Sequence, residues 1–305
     1  MSTRCQQRLF FSTLFTVHQF PISVKGHVEN HLHCKVTGFR PASGGCINHG
    51  GELVTDKGSY FLKWNDAHRY TGMFGAESKG LTLLDSAKCI HIPKVVLVDE
   101  VDDKQFIVME FVRAAHPKKN YWALLGERLA QLHRNTNTQF GLDHDNYIGS
   151  LHQSNFFHKD WIQFFIEQRL DKQVSLAERN SRMEKGQHSR FATLYKKLPE
   201  LLPAENPALL HGDLWSGNVM VNEKGEPCLI DPAVYFGHRE IELAFTRLFG
   251  GFGREFYEAY VASFPLLPGF TDRVDIYNLY PLMVHVNLFG GGYLQQAERI
   301  LKRYT

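Results

Sequence analysis

The sequence has no C-x-x-C pair, no H-E-x-x-H and no Cys/His cluster at ligand spacing. That excludes zinc fingers, zincin-type proteases and thioredoxin-like redox motifs. Its five cysteines (Cys5, Cys34, Cys46, Cys89, Cys228) are dispersed and odd in number, so no disulfide framework is expected and a reducing, cytoplasmic setting fits. An excess of one charge is also missing. Lys and Arg number 34 against 32 Asp and Glu, which gives no electrostatic case for a nucleic-acid partner. The sixteen histidines are scattered and read as surface or locally bonded residues. No repeat or low-complexity tract is present, and 43% hydrophobic with 22% charged residues describes a globular chain with a core to bury.

Long apolar runs are lacking too. The uncharged stretch near the start, residues 9–24, holds 16 residues and includes His18, Gln19 and Pro21, short of the roughly 20 apolar residues that span a bilayer. Arg4 and Arg8 precede it as in a secretory signal, but no small-residue cleavage site follows cleanly. Residues 1–28 contain no acid, so an organellar targeting peptide and a non-native start are both open. Residues 1–26 are set apart as a leader of unknown role, and no membrane partner is expected.

What is there divides in two. Residues 34–40, 52–55 and 59–64 read as strands punctuated by glycines, residues 73–87 as a helix with Phe74, Leu81 and Leu84 on one face, and residues 94–100 and 105–112 as a hairpin around Asp102-Asp103. From Tyr121 the pattern turns helical, with stripes through Leu125, Leu129 and Leu132 and through Trp161, Phe164, Phe165 and Leu170. Residues 200–208 read as a linker, and residues 241–249, 255–263, 272–289 and 294–303 as further helices. The expected fold class is α+β in two lobes: a small β-rich N-terminal lobe over residues 27–112 and a larger helical C-terminal lobe over residues 113–305.

The densest motif runs from Leu209 to Val221 and on to Asp231-Pro232-Ala233. It sets Asn218 five residues after Asp213 and Asp231 thirteen further on, at the end of an apolar strand. Phosphoryl transfer needs this inventory. One carboxylate takes the proton of the attacking hydroxyl, while an amide oxygen and a second carboxylate hold magnesium against the phosphates. Protein kinases use H-R-D-x-x-x-x-N and D-F-G for these jobs; here His211-Gly212-Asp213 and Asp231-Pro232-Ala233 stand in their places. Taken singly, these residues would read as a helix cap, a turn and a loop start. Their joint spacing between apolar strands favours the kinase reading.

A second group precedes it. Lys63 lies in the apolar run Tyr60-Phe61-Leu62-Lys63-Trp64, where a lysine is costly unless paired, and Glu77 follows on the expected helix. The pair matches the phosphate-orienting lysine and glutamate of kinases; a surface lysine and a solvated glutamate are the plain alternative. Gly44, Gly45, Cys46, Ile47 and Asn48 sit between two strands, where a loop over ATP phosphates belongs, but fit neither the G-x-G-x-x-G nor the Walker pattern. Met109, Glu110, Phe111 and Val112 end an apolar strand at the lobe junction and form the candidate adenine-binding hinge.

On these segments the chain resembles the fructosamine kinases. They are joined by Phe140-Gly141-Leu142-Asp143, Asp145-Asn146-Tyr147-Ile148-Gly149, the run from Trp161 to Leu170, Phe249-Gly250-Gly251-Phe252 and Phe289-Gly290-Gly291-Gly292-Tyr293. The resemblance covers about residues 35–303 and implies a protein-kinase-like fold, ATP with Mg2+, and phosphorylation of a sugar hydroxyl on a small-molecule or protein-linked ketosamine. It implies Asp213 as the catalytic base, Asn218 and Asp231 as metal ligands, and Lys63 with Glu77 as the phosphate-orienting pair. Trp215, His285 and Asn287 become candidates for the sugar pocket, with packing roles as their alternative. Cys46 reads either as an inert turn residue or as a redox-active thiol that would join two copies, so monomer and dimer both stand. An aminoglycoside- or choline-kinase-like phosphotransferase and a non-catalytic nucleotide-binding regulator are the competing functions.

Overall fold

In the computed structural model, residues 20–42, 48–184 and 186–304 are described. The N-terminal lobe opens with helix α1 (Ile22–Leu32) and strands β1 (Val36–Pro41), β2 (His49–Thr55) and β3 (Gly58–Asp66). Helix α2 (Met73–Ser86) and strands β4 (Val95–Val101) and β5 (Lys104–Glu110) complete it. The strands form one antiparallel sheet in the order β1-β2-β3-β5-β4.

Side-chain alternation decides what each sheet face meets. Leu62 and Trp64 of β3 and Phe106 and Val108 of β5 point to one side and pack with Phe20, Val24 and Val28. Phe61 of β3 and Ile107 and Met109 of β5 point to the other, toward Phe74, Leu81 and Leu84 of α2. Because both faces are covered, β5 reads as a continuous apolar run instead of an alternating one. Lys63 shares the face of Phe61 and so looks into the space between sheet and α2. Helix α1 begins inside the stretch that the sequence sets apart as a leader. A boundary after residue 26 cuts through it, whereas Phe20 and Val24 are buried in the same cluster as Val28.

The C-terminal lobe follows with α3 (Tyr121–His133), the hairpin β6 (Asn146–Ile148) and β7 (Leu151–Gln153), and α4 (Trp161–Phe164). A π-helical segment (Phe165–Leu170) then runs directly into α5 (Asp171–Arg179). The wider turn brings Phe165, Gln168, Arg169 and Leu170 all into the interior. Helix α6 (His188–Leu201) occupies part of the expected linker. It runs through Pro199 in its last turn, and its apolar residues Phe191, Leu194 and Leu198 recur at helical spacing amid polar neighbours. Short strands β8 (Ala208–Leu210), β9 (Val219–Val221), β10 (Pro227–Leu229) and β11 (Tyr235–Gly237) precede α7 (Arg239–Leu248), α8 (Arg254–Ser263), α9 (Phe270–Phe289) and α10 (Tyr293–Leu301).

α3 and α8 approach so closely that a Cβ on Gly126 would lie 2.2 Å from the Phe256 carbonyl oxygen; only glycine fits there. One core cluster joins Ile107 and Met109 of the sheet to Leu125, Leu129, Leu209 and Leu229 of the C-terminal lobe. The lobes therefore share apolar contact beneath the cleft. Among the described residues no helix is long and apolar enough to cross a membrane.

Candidate active site

The pairing of short strands folds the motif back on itself. β8 pairs with β11 and β9 with β10, both antiparallel. The Ala233 N–H donates to the His211 carbonyl (2.9 Å) and the Ile230 N–H to the Asn218 carbonyl (3.1 Å). The loop carrying Asp213 and the loop carrying Asp231 thus lie side by side. Gly212 has φ 84°, and a Cβ there would sit 2.0 Å from the Ala233 carbonyl oxygen, so this crossing requires glycine. Asp231 itself has φ 56°, a left-handed conformation that aspartate tolerates better than most residues.

Asn218 sits in a 3-10 turn (Ser216–Asn218) and turns its amide nitrogen to Asp213, donating to the carboxylate Oδ2 (3.0 Å) and the backbone carbonyl (2.8 Å). Its amide oxygen is left for another partner. Asp213 is half-buried at the loop crest. Burial, and then the charges of Asp231 and Glu242, raise its carboxyl to about 7 against the opposing Asn218 hydrogen bond. His211 is buried, and burial lowers its pKa. Its Nε2 donates to the Ile230 carbonyl (2.9 Å) and its Nδ1 accepts the Asp213 N–H (3.3 Å).

From the sheet, Lys63 reaches across. Its Nζ donates to Glu77 Oε1 (2.7 Å) and to Asp231 Oδ1. Burial alone would lower the lysine pKa, but the charges of Asp231 and Glu77 hold it above the usual range. Five predicted residues, Lys63, Glu77, Asp213, Asn218 and Asp231, are therefore brought together across the lobe junction.

The other candidates are placed as follows. Asn48 accepts a hydrogen bond from Asn65 Nδ2 (2.8 Å), while Gly44, Gly45, Cys46 and Ile47 lie outside the described residues. Met109 and Val112 are buried, and Phe111 is half-buried beside them. The Glu110 carboxylate is held by His91 Nε2 (3.1 Å) and the Lys94 N–H (3.2 Å). Trp215 is 40% exposed next to Asp213. The ring of His285 lies 4.8 Å from Phe249 and 5.0 Å from Tyr293, centroid to centroid. The loop after Phe249 returns to Trp215's neighbour, since a Cβ on Gly251 would come within 2.7 Å of Ser216. His285 thus packs among Phe249, Phe289 and Tyr293, while the Trp215 ring lies over Gly217, where a Cβ would come within 2.2 Å of it. Asn287 points elsewhere, donating to Gln173 Oε1 (2.8 Å).

Glu242 of α7 is the site residue that sequence reasoning missed. It is buried and accepts the N–H groups of His211 (3.2 Å) and Gly212 (2.7 Å), fixing the backbone on which Asp213 is mounted. His133 Nε2 of α3 completes its shell (2.8 Å), and His133 Nδ1 pairs with the Tyr260 hydroxyl (2.8 Å). Burial works to raise the Glu242 carboxyl, but His133, His211 and the Gly212 N–H together hold it below its ordinary value. The available signal was an acid amid the apolar residues Ile241, Leu243, Ala244 and Phe245, a setting that demands partners.

Among the described residues no group of three or more His, Cys, Asp or Glu side chains could cage a metal ion. Asn218 and Asp231 offer two oxygen donors on the open side of the cleft. That set suits a cation completed by phosphate oxygens and water, as Mg2+ ordinarily is.

Residues 23–305 match the family described as fructosamine kinase. A ketoamine kinase of Synechocystis sp. is 40% identical over 267 residues, covering 87% of this chain and 89% of that protein. The chloroplastic protein-ribulosamine 3-kinase of Arabidopsis thaliana is 37% identical over 279 residues, 88% of this chain and 83% of the relative. A crystal structure of a fructosamine-3-kinase from Haemophilus somnus superposes with a TM-score of 0.84 at 25% identity, covering 92% of this chain and 96% of that one.

Proposed function

The chain belongs to the fructosamine kinase family, and on that premise we propose that it transfers the γ-phosphoryl group of ATP to a sugar hydroxyl of a ketosamine. The observation that carries the reading is the convergence of Lys63, Asp213, Asn218 and Asp231 from separate elements onto one cleft. In this reading Asp213 accepts the proton of the attacking hydroxyl. Asn218 orients its carboxylate, Glu242 fixes the loop beneath it, and Lys63, steered by Glu77, meets the phosphates.

Asn218 and Asp231 would hold Mg2+, which supplies positive charge to the phosphate oxygens when bound. Asp231 now pairs with Lys63 and is still half-exposed, so its carboxylate is within reach of both. The hinge assignment of Met109, Glu110, Phe111 and Val112 to the adenine rests on their place at the end of β5. Trp215 and His285 are assigned to the acceptor, since an exposed tryptophan beside the base offers a flat face to a sugar ring. The dispersed, odd-numbered cysteines favour a reducing, cytoplasmic setting. The plant relative is named chloroplastic, and a fluorescent fusion of residues 1–26 that entered an organelle would overturn the cytoplasmic placement.

The test is magnesium-dependent ADP release with fructosyl-lysine, ribulosyl-lysine, an aminoglycoside and choline. Turnover confined to the two ketosamines is expected. Turnover on choline or the aminoglycoside alone would keep the kinase and discard the acceptor, and ATP binding without turnover on any of them would favour a regulator.

A further inference from the structure

A cavity of about 250 Å3 opens in the C-terminal lobe behind the loop that follows Asp231. None of Lys63, Asp213, Asn218 or Asp231 lines it. Exposed Asp145 and Lys172 stand at its mouth, and buried Gln153, Gln173 and Tyr280 form its floor. The volume is well over ten times the roughly 10–15 Å3 that admits one water, and the walls are mostly amide and hydroxyl groups.

The hydrogen bonds already made inside it show what an occupant must bring. Gln153 is fully engaged: its Nε2 donates to Asn146 Oδ1 (2.7 Å) and the Ala233 carbonyl (3.1 Å), and its Oε1 accepts from Tyr280 (2.5 Å). The Asp145 carboxylate is taken by the Asn155 N–H (2.8 Å) and His152 (3.2 Å). Gln173 Oε1 accepts from Asn287, while Gln173 Nε2 and Lys172 Nζ find no partner among the described residues. Both of these groups are donors.

The charge behind the wall has the same sign. Arg169 is fully buried and has no carboxylate partner among the described residues. It donates to the Ser154 (2.6 Å) and Gln168 (2.9 Å) carbonyls and to Asn155 Oδ1 (2.7 Å), and its Nε is unsatisfied. A buried cation served only by neutral groups is costly. Ser154 and Gln168, which contact it, line the cavity as well. Gln168 and Arg169 both come from the π-helical segment, an irregularity frequent at functional sites.

We infer that this cavity binds a small sugar phosphate, an oxygen-rich anion whose phosphate meets Lys172 in the field of Arg169 and whose hydroxyls meet the amide floor. Gln153 links that floor to the Ala233 carbonyl, and Asn146 Nδ2 holds the Val234 carbonyl (2.7 Å). An occupant therefore rests one side chain away from the backbone that carries Asp231.

The test uses the full chain saturated with AMP-PNP and Mg2+ and titrated calorimetrically with ribose 5-phosphate, and separately with ribose and with inorganic phosphate. Saturable binding of ribose 5-phosphate is expected, at least about tenfold tighter than either fragment. Lys172→Ala, at an exposed position, and the Lys172→Ala/Gln173→Leu double variant are expected to weaken it about tenfold or more, with ketosamine kcat/KM unchanged without the sugar phosphate. No saturation up to roughly 10 mM, equal binding of ribose or phosphate, or undiminished binding by Lys172→Ala would overturn the inference.

Discussion

At the scale of single residues, the site is a set of charges that no one of them could sustain alone. Asp213 carries a carboxyl raised to about 7 by burial and by the anions Asp231 and Glu242. If it is the base, its deprotonated form is the active one, so kcat/KM falls as pH drops through its pKa. A cation on Asn218 and Asp231 favours the Asp213 anion, so the acid limb of the pH profile is expected to move to lower pH as Mg2+ rises toward saturation. Profiles at two Mg2+ concentrations check this, and a limb insensitive to the metal would speak against the assignment. Glu242 makes a second prediction. Glu242→Gln cannot accept from two backbone N–H groups and His133 at once, so the Asp213 loop shifts. The expected cost is about 10- to 100-fold in kcat with the ATP KM little changed, and partial recovery in Glu242→Asp. An unchanged kcat would reduce Glu242 to a packing residue.

At the scale of elements, close packing of helices and sheet sets the stage. Gly126 lets α3 meet α8 backbone to backbone, and α3 delivers His133 to Glu242. Gly126→Ala is expected to destabilise the fold by about 1–3 kcal/mol, read as a lower midpoint in thermal or urea unfolding; an unaltered midpoint would mean that the helices separate freely. The five strands of the N-terminal sheet and most helices were legible because their apolar residues keep a period of 2 or near 3.6, and β5 announced its two covered faces by an unbroken run; the short β6–β7 hairpin and β11 were not. The loop pair of the candidate site was legible because Asp213, Asn218 and Asp231 lie within one contiguous motif. Glu242 was not, since its partners are backbone groups about thirty residues earlier and no spacing rule ties them. α1 escaped notice because only two of its residues, Val24 and Val28, are buried, on either side of Lys25, Gly26 and His27. α6 was hidden in the same way, by proline and charge around three core positions.

At the scale of the whole molecule, the two lobes meet in a shared apolar cluster and in an ion-paired bridge from Lys63 to Asp231. The sheet brings Lys63, the C-terminal lobe brings Asp213, Asn218 and Asp231, and neither lobe holds the full set. The central claim is that Asp213 performs the proton transfer within this composite site while the nucleotide is held by other residues. The most direct measurement pairs ATP binding with turnover of a ketosamine in Asp213→Asn, an exchange that keeps the side-chain shape and removes the carboxylate. The account predicts ATP affinity within a few-fold of the parent chain and turnover reduced by at least about 100-fold, in line with the contribution of a general base. Turnover close to that of the parent chain would contradict it.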